Sequence, residues 1–178
     1  VKALGWMFVA TPVVGVLYGI FIHFRVVVAG DALATARNVA AHPLLMRVGV
    51  LVELLMPVIG LVVGFCLYQL LRRVDERLAL LALVFKIVEG VLAAVMALLS
   101  ALLLLAPAES AFVGRVVMTQ TQLYAIPMVF LGLSFTLFFR LLRRSAYAPR
   151  GLAEFGMVAY VLMLLYGLSS IVLPEQVE

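Results

Sequence analysis

Five apolar runs, each long enough to cross a lipid bilayer, take up most of this 178-residue sequence. They lie at about Leu4–Phe24, Leu44–Leu71, Leu78–Ala106, Ala111–Leu142 and Gly151–Leu173. At about 1.5 Å of rise per residue, twenty helical residues cover a hydrocarbon core of roughly 30 Å. Each run is therefore a spanning candidate, and the longer ones must tilt or protrude. Lipid offers no partner to a backbone N–H or C=O, so a spanning segment has to satisfy its hydrogen bonds internally, as a helix. With 66% hydrophobic and 12% charged residues, the chain departs far from soluble domains, which are about half apolar and a quarter charged. The expected fold is all-α: a single polytopic transmembrane bundle of about five helices. The first run is long enough to span and does not read as a cleavable signal peptide.

The connections are short and polar. Arg72-Arg73-Val74-Asp75-Glu76-Arg77 and Pro107-Ala108-Glu109-Ser110 read as turns, and Arg143 to Arg150 as a basic link. The longest connection, Val26 to His42, holds a start signal at Gly30-Asp31 and a stop at Pro43, which frames a short helix. Leu33, Ala36, Val39 and Ala40 would give that helix a weak apolar face suited to lying on the membrane surface. Lys and Arg set the orientation. Lys2, Arg72, Arg73, Arg77, Arg140, Arg143, Arg144 and Arg150 fall on one side, and Arg25, Arg37, Arg47 and Arg115 on the other. That imbalance favours a cytoplasmic N-terminus. Nothing resembles a nucleic-acid module.

Three ionisable residues inside the apolar runs require explanation: Glu53, Lys86 and Glu89. A charge near the bilayer centre costs about 2.5–3.5 kcal/mol on insertion scales, and such residues often mark functional sites. Gly49, Glu53, Pro57, Gly60 and Gly64 fall within about 40° of Glu53 at 100° per residue. The stripe of small residues implies a close helix neighbour, with Gly60 and Gly64 forming a GxxxG and Gly15 and Gly19 a second one in the first run. Pro57 lacks the N–H that would bond the carbonyl of Glu53. Glu53 thus offers a carboxyl group and a freed carbonyl to a cation, a hydroxyl or an Arg, or else serves packing alone.

The fourth run could complete that site. Arg115, Thr119 and Gln122 lie within about 60° of one another, and Gln122 and Glu53 both fall about 15–17 Å from their outer helix ends. The alternative is ordinary interhelical hydrogen bonding, about 0.6 kcal/mol each in membranes. Lys86 and Glu89 are three residues apart, on one helix face. They read as a buried ion pair that is either structural or proton- or anion-handling, with Lys86 able to snorkel to the cytoplasmic interface. Trp6, Tyr68, Phe138, Phe139 and Tyr147 suit interfacial belts, while Tyr160 and Tyr166 lie inside the fifth run. Two histidines and one cysteine make no metal or haem set, and no catalytic or dinucleotide fingerprint is present. No cofactor is expected.

Gly30-Asp31-Ala32-Leu33-Ala34-Thr35-Ala36, Glu53-Leu54-Leu55, Leu67-Tyr68-Gln69-Leu70-Leu71-Arg72, Phe85-Lys86-Ile87-Val88-Glu89-Gly90 and Ser145-Ala146-Tyr147-Ala148-Pro149-Arg150 occur in that order. Together they resemble the bacterial membrane family known as domain of unknown function 4386, over nearly the whole chain. Members often carry Arg where Lys86 stands, and often continue into a further apolar helix beyond the point where this sequence reads Leu173-Pro174-Glu175-Gln176-Val177-Glu178. The resemblance implies a bacterial inner-membrane bundle and no activity. The expected role is a structural or accessory subunit, partnered by lipid and other membrane chains. The alternatives are an autonomous small-molecule or ion-binding protein with an outer-side pocket at Glu53, and an integral membrane enzyme.

Overall fold

The computed structural model describes residues 13–28, 30–104, 111–145 and 147–173. Lys2, Gly5, Trp6, the Pro107–Ser110 turn, Ala146 and the segment after Leu173 lie outside the described residues. Among the described residues all regular elements are helices: α1 (Val13–Val26), α2 (Ala32–Ala41), α3 (Pro43–Leu71), α4 (Glu76–Leu103), α5 (Ala111–Leu123), α6 (Ala125–Arg144) and α7 (Arg150–Val172). Four stretches are long and apolar enough to cross a membrane: Pro43–Leu71, Glu76–Leu103, Phe112–Arg144 and Arg150–Val172. The described part of the first expected span is the shorter apolar helix Val13–Val26.

The local signals explain most helix ends. Gly30 takes a left-handed backbone (φ 72°), which glycine adopts at no steric cost. Asp31 then caps α2, its carboxylate accepting from the N–H groups of Leu33 (3.0 Å) and Ala34 (2.9 Å). Asp75 accepts from Leu78 N–H in the same way at the start of α4. The fourth apolar run differs from expectation, because it is two helices meeting at Tyr124 rather than one. Pro127 has no N–H to give the carbonyl of Leu123, so the hydrogen-bond ladder is interrupted there. With 20 residues, α6 covers about 30 Å by itself.

Packing divides the chain into two compact units: the described residues of Val1–Ile59 and Ala93–Tyr124, and those of Gly60–Leu92 and Ala125–Val177. In the first unit, Val26, Val39, Leu103 and Val113 form a buried core flanked by Leu45, Met46, Val116 and Val117. Here α2 departs from the expected membrane-surface helix. Its Thr35, Ala36 and Val39 are buried in protein, while Leu33 is exposed. Helices α2 and α5 approach so closely that a methyl group on Gly114 would fall on the carbonyl oxygen of Ala32. The turn before α2 is tied by Val28 N–H, which donates to Thr35 Oγ1 (3.0 Å).

In the second unit, α6 and α7 pair closely. Added Cβ atoms at Gly132 and Gly156 would strike Leu164 and Phe139, so small residues set the spacing, as at many membrane helix interfaces. Phe138 and Phe139 are buried rather than interfacial, since α6 turns them into this packing. Ser134 Oγ donates to the carbonyl of Ala82 (2.8 Å).

Candidate functional site

Two polar centres lie on these helices, one in each unit. The first is built at the close approach of α1 to α3. A Cβ on Gly49 would stand 3.1 Å from Ile22 Cγ2 and 3.6 Å from Tyr18 Cε2, so the missing side chain is what admits α1. Glu53 follows one turn later on the same face, and the Tyr18 hydroxyl donates to its Oε1. The other carboxylate oxygen, Oε2, is buried and has no hydrogen-bond partner among the described residues. An unsatisfied buried polar atom is uncommon and costs about 1–3 kcal/mol. Pro57, one turn on, is buried inside α3.

The chain between Tyr18 and His23 is a π-helical turn, Gly19–His23. In an α-helix two residues five apart point about 140° from each other. The wider π turn reduces that angle and swings His23 toward the Tyr18 side. Beside this centre runs an apolar groove lined by Val14, Leu17, Tyr18, Phe21, Ile22 and Val52. Among the described residues, a Cβ on Gly15 would meet nothing within 4 Å and one on Gly19 only Phe24 of its own helix. Among the described residues, the glycine that seats α1 on α3 is Gly49.

The residues expected to join Glu53 from the fourth run do not do so. Arg115, Thr119 and Gln122 are all exposed. Helix α5 turns Val113, Val116 and Val117 to the core, and at 100° per residue the Arg115–Thr119–Gln122 stripe falls on the opposite side. The inward polar residue is Gln120, whose Nε2 donates to Met96 O (2.8 Å) and Ser100 Oγ (2.7 Å). The valine phase of α5 was the available signal for Gln120. For Tyr18 it was a phenol in an apolar run that has Gly49 to pack against on another helix.

The second centre is the pair Lys86–Glu89, one turn apart on α4 and 4% and 12% exposed. Lys86 Nζ donates to Glu89 Oε2 and stands 5.5 Å from the centroid of the Phe135 ring. Tyr160 stacks on the same ring, centroids 4.7 Å apart and 20° from parallel. The lysine stem lies along α3: Cβ atoms added at Gly60 and Gly64 would come 2.7 Å from Nζ and Cγ respectively. The GxxxG of α3 thus forms a trough for a lysine rather than a backbone-to-backbone contact. Lys86 does not extend toward the N-terminal end of α4. It extends toward the C-terminal end of α4, where Glu89 and the Phe135 face stabilise the ammonium group within the protein.

These arrangements differ chemically. The lysine centre is internally satisfied, charge against charge and stem in a trough. In the Glu53 centre, Oε2 is an acceptor to which no described residue donates. Among the described residues no group of three or more His, Cys, Asp or Glu is placed to hold a metal ion. Comparison with curated proteins and with solved structures finds no significant match. A family model matches residues 3–178, and the chain belongs to that family, described as Domain of unknown function (DUF4386).

Proposed function

We propose that this membrane protein is a small-molecule-binding module whose binding point is Glu53. The observation that carries this reading is the buried Oε2 without a donor among the described residues. A side chain serving packing alone gains nothing from an unmet acceptor, whereas a ligand donor would satisfy it. Supporting it are the π turn next to Tyr18, a helix distortion frequent at functional sites, and the apolar groove beside it. Counting twenty residues back from Leu71 puts Val52–Leu71 in the hydrocarbon core and Glu53 at its outer edge. With the N-terminus taken as cytoplasmic from the basic-residue imbalance, the binding point we propose faces the outer side of a bacterial inner membrane. The test is purification in mild detergent with identification of co-purified small molecules by native mass measurement. Wild type should carry one, and Glu53→Gln should lose it while keeping its fold. Equal retention by Glu53→Gln and Glu53→Leu would leave Glu53 a packing residue.

A second reading, an accessory subunit of a larger membrane complex, is favoured by the exposed Arg115–Thr119–Gln122 stripe. One charge and two hydrogen-bonding groups on one helix face suit a polar contact with another membrane chain. Stoichiometric recovery with a second chain, lost on Arg115→Ala with Gln122→Ala, is its expected result.

A further inference from the structure

The Glu53 centre can be assigned a ligand class, an inference that rests on the binding role proposed above. Two observations meet at Tyr18. Its hydroxyl holds Glu53 Oε1, and its ring is one wall of the apolar groove, with Phe21 as a second aromatic and Val52, the residue before Glu53, on the α3 side. Tyr18 is thus shared by the two: its ring lines the groove and its hydroxyl bonds the carboxyl group.

From this we infer that Glu53 and the groove beside it bind an amphiphile that carries an ammonium group. The ammonium N–H donates to Oε2, where a charge-assisted bond is about twice as strong as a neutral one. The aliphatic tail lies along Val14 and Phe21. Tyr18 and Phe21 supply aromatic rings to the groove, and such rings attract a cation within about 6 Å of the centroid. An anionic amphiphile would meet the carboxylate as a like charge. A neutral alcohol could donate to Oε2 but would gain neither the charge nor the ring attraction. The ammonium group can come from a lipid headgroup, such as an ethanolamine phospholipid, or from a free long-chain amine.

The test uses the full chain in nanodiscs of phosphatidylglycerol, titrated with dodecylamine and with dodecanol. A parallel arm offers mixed phosphatidylethanolamine and phosphatidylglycerol and reads the retained lipid by native mass. Wild type should prefer the amine over the alcohol by about tenfold or more, the scale of one charge-assisted bond over a neutral one. Glu53→Gln should abolish the preference. Tyr18→Phe removes only the donor on Oε1, so it should bind the amine at least as tightly as wild type. Val14→Trp, at an exposed groove position that does not endanger the fold, should weaken amine and alcohol alike. Enrichment of ethanolamine lipid in wild type but not in Glu53→Gln assigns the source to the bilayer. Dodecylamine binding without that enrichment assigns it to free amines, and either result supports the proposal. Equal wild-type affinity for amine and alcohol, both lost in Glu53→Gln, overturns the ammonium class and leaves Glu53 as a binding point. Affinities independent of both Glu53 and Val14 overturn ligand class and binding point together.

Discussion

Replacing Lys86 by Met should destabilise the protein more than replacing Lys86 and Glu89 together. The single change keeps an unbranched stem in the Gly60–Gly64 trough, so it opens no large cavity. It removes the charge from beside Glu89, which is 12% exposed, and leaves a buried acid without its partner, a loss of about 3–5 kcal/mol. The contact of Nζ with Phe135 goes too, about 0.5–2 kcal/mol. In the double change, Lys86→Met with Glu89→Met, the ring contact is still lost, but no charge remains to desolvate, and such replacements are often neutral or stabilising by about 1–4 kcal/mol. The double variant should therefore lie within about 2 kcal/mol of wild type and stand above the single one by about 2 kcal/mol or more. Cys66, the one cysteine, lies two residues past Gly64 on α3 and is half-buried. Its rate of thiol labelling across an SDS titration in mixed micelles reads local opening directly. A double variant labelled as fast as the single one, or faster, would show that the ion pair does not organise this part of the protein.

Two further predictions concern the unit that holds Glu53. Gly114→Ala should cost about 3 kcal/mol or more, near the top of the range for overpacking, because the methyl group meets the backbone carbonyl of Ala32, which cannot rotate away. Proteolysis in the segment around α2 should rise in that variant, and unchanged protection would refute the close packing of α2 on α5. Gln120→Leu should cost about 1 kcal/mol, two membrane hydrogen bonds at about 0.6 kcal/mol each, whereas Gln122→Leu should be silent in the same SDS titration. Equal effects at 120 and 122 would contradict the assigned face of α5.

Much of the architecture was legible in the sequence because one rule governs it. Where water is absent, the backbone must bond to itself, so long apolar runs become helices with ends near their first and last apolar residues. The ends of α3, α4 and α7 fall within about three residues of the expected positions, which is the usual accuracy of such boundaries. Asp31 was legible for a similar reason, since a cap acts over three residues and needs no partner from elsewhere. The break at Tyr124 was less so: Pro127 was visible, but a proline in a long apolar run kinks some helices and ends others, and surrounding contacts decide which.

The Glu53 centre was legible only in part. Helical phase alone put Glu53 on a stripe with Gly49, Gly60 and Gly64, and the sequence by itself determined that this face meets protein and that Lys86 and Glu89 are neighbours. It left open which helix supplies each contact. Phase is a property of one helix, whereas a partner depends on the rotation of two helices about their axes and on their relative height. Tertiary structure decided that Gly49 receives α1 and thereby brings Tyr18 to Glu53. It decided that the Gly60–Gly64 trough takes a lysine stem and not a helix backbone. It also turned α5 so that Gln120 faces inward and Gln122 outward. In each case the physical reason is that close packing selects the rotation of a helix from the small and large residues it meets on its neighbours, and no single helix carries that information.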